Sequence, residues 1–312
     1  MFVKQLSCLV LLAAFSSVAL SNQEGTSLAQ VNVDVGYENG VFTPRGTLPV
    51  NWNKKFSSSI SYVGKQTISI DALDGFEDSL NASRSQERRI SLNALTYEFN
   101  PSDNPDATVS IGLTYEQLKV EADEKGFIAL GTDAYRTELS RKIEVDRINI
   151  PLTYQLTTGH FVNRLNTTVT AYSSLSLDQD LYLPLLNTER QLLTDSQTQA
   201  IAYQVSLEGV YKGLGDVFAP GWRFTYESLP LEYKTLMANV TGNVSTEDIK
   251  HTTNTLTLEG RIYFGLTSGK STAKYFGVRR EIATSSFEVA GTKIPNEHMY
   301  LTSIVLGVDG RF

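Results

Sequence analysis

The chain has 312 residues, and its 27 Lys and Arg stand against 34 Asp and Glu, a formal net charge of −7. That balance excludes the basic face by which nucleic acid is bound. With one cysteine, Cys8, there is no disulfide framework to build a fold on.

Residues 1–21 have the layout of a signal peptide. Lys4 supplies the positive start, Leu9 to Val18 the apolar core, and Ala19-Leu20-Ser21 a small-x-small cleavage site before Asn22. The apolar run is shorter than the ~20 residues of a spanning helix. Cys8 opens that core, where a lipidation box would follow it, so it does not fit lipid attachment and leaves with the leader. The mature domain expected is 22–312, and no later stretch reaches the length of a membrane helix.

From there the chain alternates with period 2. Val31, Val33, Val35 and Tyr37 form one apolar face, followed by a Pro/Gly-containing connection from Glu38 to Lys54. Phe56, Ser58, Ile60 and Tyr62 share the next face. Gly64-Lys65 signals a tight turn, and Thr67 to Ala72 alternates again. A charged loop from Asp74 to Arg88 leads into Ile90, Leu92 and Ala94, where the parity slips to Leu95, Tyr97 and Phe99. A one-residue slip predicts a β-bulge at Ala94-Leu95. Further strand faces are Val109 to Tyr115, Ile148 to Leu156, Leu165 to Ala171, Ile201 to Tyr211, Trp222 to Tyr226, Leu256 to Phe264 and Thr272 to Arg280. The connections 116–141, 175–199, 229–252 and 281–298 read as long loops, and those between them as short turns.

The last stretch has one face of Tyr300, Thr302, Ile304, Leu306, Val308 and Gly310, ending one step later at Phe312. The other face carries Leu301, Ser303, Val305, Gly307, Asp309 and Arg311. This alternating, aromatic-terminated strand resembles the C-terminal signature of bacterial outer-membrane β-barrel proteins, at the level of the class. The resemblance implies export to the Gram-negative outer membrane, contact with its lipids and lipopolysaccharide, and recognition by the barrel assembly machinery. Tyr300, Ile304, Leu306, Val308 and Phe312 are the residues that carry that signal. Walking back from Phe312, long and short links alternate as they do between outer loops and periplasmic turns. The expectation is an all-β fold, a single transmembrane antiparallel barrel of about 12 strands (10–14), with short periplasmic turns and long extracellular loops. A soluble lipocalin-like barrel or β-sandwich is the competing fold.

If the apolar parity meets lipid, the opposite parity meets the lumen, and it is polar in strand after strand. Its charged members are Arg147, Glu208, Arg223, Glu227, Glu259, Arg261, Asp309 and Arg311. Opposed charges on adjacent strands fit an eyelet that orients a polar solute, and equally an ion-pair network that fills a narrow lumen.

Chemistry is sparse. His251 and His298 fall near the outer rim with Ser285 and Ser286, where a Ser–His pair would serve a lipid-modifying enzyme, but no G-x-S-x-G elbow is present. Acidic loop residues Asp74, Glu77, Asp78, Glu121, Asp123 and Glu124 match no metal-binding spacing. No cofactor is expected. The function expected is a porin-like channel for small polar solutes. A closed barrel with binding loops and a lipid-modifying enzyme are the alternatives.

Overall fold

The computed structural model describes residues 32–38, 41–53, 55–70, 82–101, 104–130, 133–182, 191–214, 218–238, 244–264 and 273–309. The signal-peptide segment, Asp71 to Asp78, and Gly310 to Phe312 lie outside the described residues. Of Val308 and Asp309 only the backbone is described. The strands are β1 (Asn32–Glu38), β2 (Val41–Asn51), β3 (Phe56–Ile70), β4 (Ala82–Phe99), β5 (Ala107–Leu130), β6 (Asp133–Thr158) and β7 (Phe161–Tyr182). They continue with β8 (Gln191–Thr198), β9 (Tyr203–Tyr211), β10 (Phe218–Ala238), β11 (Val244–Phe264), β12 (Ala273–Val289) and β13 (Thr292–Asp309).

Apart from β8 and β9, neighbours in sequence pair antiparallel, and β1 pairs with β13, Val33 opposite Val308 and Tyr37 opposite Ile304, so the sheet closes on itself. β8 and β9 both pair with β7, at its end and its start respectively, and therefore share one stave. Thirteen strands thus make a barrel of twelve staves. Closure pairs the backbone from stave to stave, the condition for crossing lipid with strands. The base of the barrel carries the C-terminal end of β13 and the short turns, and the opposite end forms a tall crown.

An apolar band circles the base half. Ile111, Leu113, Ile150, Leu152, Val205, Leu207, Ile262, Val278, Ile304 and Leu306 all point outward and are exposed. Two aromatic girdles bound the band. Phe56, Tyr97 and Phe99 stack near the base, as do Phe161 and Tyr211, with ring centroids 4.7–5.6 Å apart. Tyr62, Tyr115, Tyr172, Tyr203, Tyr226 and Tyr300 mark the upper edge, where Tyr115 and Tyr226 donate hydrogen bonds to Asp146 and Asn254. On β10 the girdles are set by Phe218 and Tyr226, about 26 Å of strand apart at ~3.3 Å per residue, or about 20 Å of height at a strand tilt of ~40°, a little under the ~25 Å apolar band of an outer-membrane barrel. The chain is a closed antiparallel barrel of the outer-membrane type.

Above the upper girdle the pattern inverts. Along β7 the outward residues change from Leu165, Val169 and Tyr172 to Ser176 and Asp178, while the inward ones change from Asn166 and Ser173 to Leu175, Leu177 and Leu181. Leu118, Val145, Leu175 and Leu177 form a buried cluster, joined by Val120, Ile143, Leu231 and Tyr233. The physical cause is the change of solvent. In lipid the outside is apolar and the inside takes the polar groups. In water a wall has to bury its apolar face inward.

This corrects the expected long loops. Residues 116–141, 175–199, 229–252 and 281–298 are mostly strand. The last of these is a hairpin whose turn places Ala290 (φ 49°) and Gly291 (φ 79°) both at positive φ, as a two-residue hairpin turn demands. The allotment of strands at the start differs too. Residues 41–51, expected as a connection, form β2. Its Pro44 lies where only the β1 flank is laddered and its Pro49 where only the β3 flank is, which leaves room for a missing N–H. Gly64-Lys65 is no turn but the interior of β3, opposite Arg88 and Glu87. A Cβ at Gly64 would stand 2.6 Å from the Tyr62 hydroxyl, so the glycine admits that ring. The two differences cancel in the count. The bulge lies at the expected place, where the β4–β5 register shifts between Asn93 and Leu95 and Ser58 donates to the Ala94 carbonyl at 2.7 Å.

Candidate functional site in the barrel lumen

Inward positions of the membrane-spanning strands carry hydroxyls, amides and charges that satisfy one another from stave to stave. Thr153 donates to Asn166 at 2.9 Å, Thr170 to Asn149 at 2.8 Å and Thr225 to Ser206 at 3.0 Å. Six of the eight charged lumen residues named from the sequence have described side chains, and all six face inward. Arg147 pairs with Glu116 at 3.1 Å across β5 and β6. Glu208 receives Arg223 at 2.9 Å from β10 and Arg164 at 3.7 Å from β7. Arg223 and Glu259 are opposite in register on β10 and β11.

Glu259 holds the most deeply buried pair. Its carboxylate accepts Arg279 Nε at 2.9 Å on one oxygen and Arg261 Nε on the other, and the side chains of Glu259 and Arg279 are each 1 % exposed. Arg261 also lies over the Tyr275 ring, 4.3 Å from its centroid. Tyr275 and Tyr263 turn inward near the base and pack with Ala219, Ala273 and Val305. Gly221 makes room for Tyr263, since a Cβ there would be 2.7 Å from the ring.

Among the described residues an ion pair spans the lumen. Arg89 on β4 meets Glu227 on β10 at 3.6 Å, although at least five stave-to-stave steps separate the two strands in either direction. Arg89 adjoins Ile90, the partner of Tyr62, and Glu227 adjoins Tyr226, so the bridge crosses at the upper girdle. A shorter chord joins Arg45 on β2 to Glu281 on β12 at 3.5 Å.

Around and above the bridge lies a chamber of about 650 Å³. Six cationic residues line it (Arg45, Lys65, Arg89, Arg141, Arg223 and Arg279), against four carboxylates (Glu87, Glu227, Glu259 and Glu281). Its apolar side is built by Leu118, Val120, Ile143, Val145, Leu229 and Leu231. His251 also faces the chamber, stacked on Phe287 with centroids 4.2 Å apart and in contact with Thr253 Oγ1 at 2.9 Å. Burial lowers its pKa against the opposing pull of Glu297, which favours the neutral ring.

In the crown β8 does not ladder with β10, and side chains take the backbone groups of β10 instead. Gln199 accepts from Glu232 N at 2.6 Å and donates to the Glu232 carbonyl at 2.8 Å. Gln179 accepts from Leu236 N at 3.1 Å, and Asp195 from Lys234 N at 2.9 Å. These amides sit in a stretch that reads as loop, and only its alternation of Leu175, Leu177, Gln179 and Leu181 signals them.

The Ser–His pairing considered from the sequence is not assembled. His298 meets Thr284 Oγ1 at 3.2 Å on the exposed face, Ser286 donates to the Thr252 carbonyl, and Ser285 reaches only Thr253, at 3.5 Å. Asp123 and Glu121 of β5 are engaged by cations. Asp123 takes Arg84 and Ser140, whose hydrogen bonds hold its carboxyl low against the upward push of burial, and Glu121 takes Lys119. Among the described residues no group of three or more His, Cys, Asp or Glu could hold a metal ion.

No family model matches the chain, and no curated protein does. Solved structures similar in chain path include the translocator domain of the autotransporter NalP from Neisseria meningitidis (TM-score 0.45, 14% identity, 96% of this chain and 93% of that one). Others are the outer-membrane protease OmpT from Escherichia coli (0.44, 11%, 91% and 94%) and the CymD monoaromatic hydrocarbon channel (0.43, 11%, 91% and 88%).

Proposed function

We propose that this chain is a narrow outer-membrane channel for small polar or charged organic solutes, held closed by the Arg89–Glu227 bridge. The observation that supports it is the interior: polar side chains line the membrane-spanning staves, and the span is crossed by the solvent-accessible Arg89–Glu227 ion pair. A barrel of twelve staves falls between eight-stranded barrels filled by side chains and sixteen-stranded open porins, so a side-chain gate is enough to close it. In this reading the crown faces outward and the base faces the periplasm. Residues 1–21 direct export, and the last strand through Phe312 is what the assembly machinery recognises. The bridge also favours a second reading, a permanently closed barrel whose crown meets a surface partner.

Conductance in planar bilayers separates the two. The channel reading predicts small, infrequent steps for the wild type and steps severalfold larger for Arg89→Ala. A folded Arg89→Ala barrel that stays silent would leave the closed-barrel reading standing instead.

A further inference from the structure

The chamber above the bridge is two-faced, and that constrains what it holds. Its volume, about 650 Å³, lies within the ~300–1,000 Å³ of small-molecule sites. Leu118, Val120, Ile143 and Leu231 offer apolar surface to a ligand entering from the crown. Above the bridge its charged lining is Lys65 and Arg141 against the carboxylate Glu87, in a chain whose overall charge is −7, while the other lining cations lie at or below the bridge beside Glu227, Glu259 and Glu281. A concave, low-dielectric wall strengthens that local positive field for any solute inside.

Arg141 adds the specific feature. It stands on β6 just above Ile143 and Val145 at the top of the apolar wall, and its buried Nε has no hydrogen-bond partner among the described residues. Tyr233 lines the same chamber, and its phenol, pushed up from its ordinary range by burial against the opposing pull of Arg141, can donate. That Nε is closed to solvent, so an incoming acceptor meets the other N–H groups of the guanidinium, and a small turn of the group that shares Nε recovers the cost of its missing partner. We infer that the chamber binds a small amphipathic organic anion, its carboxylate or sulfonate on Arg141 and Tyr233 and its apolar body against Ile143, Leu118 and Leu231. This rests on the lumen being a route for solutes, and it names the class of solute.

The probe is 2-naphthoate, titrated calorimetrically into the full barrel in lipid nanodiscs, with 2-naphthylmethanol as its neutral counterpart. Saturable binding is expected, at least tenfold tighter for the anion than for the alcohol. Arg141→Gln is expected to weaken naphthoate by fivefold or more, and Arg141→Lys, which keeps the charge, to weaken it less. Equal binding of anion and alcohol, absence of saturable binding, or an Arg141→Gln barrel that binds like the wild type would each overturn the inference. The measurement is independent of conductance. A barrel that conducts but does not bind naphthoate removes this inference alone, and one that binds without conducting removes only the channel.

Discussion

Glu259→Ala is expected to cost the barrel about 3–5 kcal/mol, the loss typical when one member of a buried ion pair is removed. The carboxylate stands between two guanidinium groups, Arg279 with its side chain 1 % exposed and Arg261 with 6 %. Without it both cations keep their desolvation cost and gain a mutual repulsion in a low-dielectric interior. Arg261 retains the Tyr275 face, worth about 0.5–2 kcal/mol, which does not offset the lost carboxylate. Urea unfolding in lipid vesicles would read the difference. The double replacement Glu259→Gln with Arg279→Leu, which removes an anion together with a cation, should cost less than Glu259→Ala alone. If the single variant unfolds within 1 kcal/mol of the wild type, about the worth of an exposed pair, the buried triad is not formed.

The second large effect lies outside the membrane. Leu175→Ala should cost about 2–5 kcal/mol, while its neighbour Ser176→Ala should stay within about 0.5 kcal/mol. Leu175 points inward at 1 % exposure, packed with Leu118, Val145 and Leu177, and its loss leaves a cavity among those side chains. Ser176 points out into water. Had 175–199 been a mobile loop, both substitutions would be close to neutral. The same unfolding experiment measures the pair, and equal small effects would remove the inward apolar core of the crown.

The contrast explains what could be read from the chain. Ile148 to Leu156 and Tyr300 to Leu306 are legible because lipid demands an uninterrupted apolar face at every second position. The polar parity opposite them placed Arg147, Glu208, Arg223, Glu227, Glu259 and Arg261 on one side of the wall. Above the girdle, outward Lys119, Glu121 and Asp123 interleave with inward Leu118 and Val120, so a strand facing water has the composition of a charged loop. Pro44 and Pro49 hid β2 because their tolerance depends on which flank of the strand is paired. Arg45, Arg89 and Arg279 went unnoticed for a related reason. Their partners Glu281, Glu227 and Glu259 are set by barrel circumference and register, and neither is written in local spacing.

If the Arg89–Glu227 pair closes a polar route through this barrel, reversing its charges shows it most directly. Single-channel recordings would compare wild type, Arg89→Glu, Glu227→Arg and the double reversal. Each single reversal faces two like charges across the lumen and should raise conductance severalfold. The double reversal restores an opposite pair and should return conductance to the wild-type level. Single variants that conduct no better than the wild type, or a double reversal as open as the singles, would contradict closure by this pair.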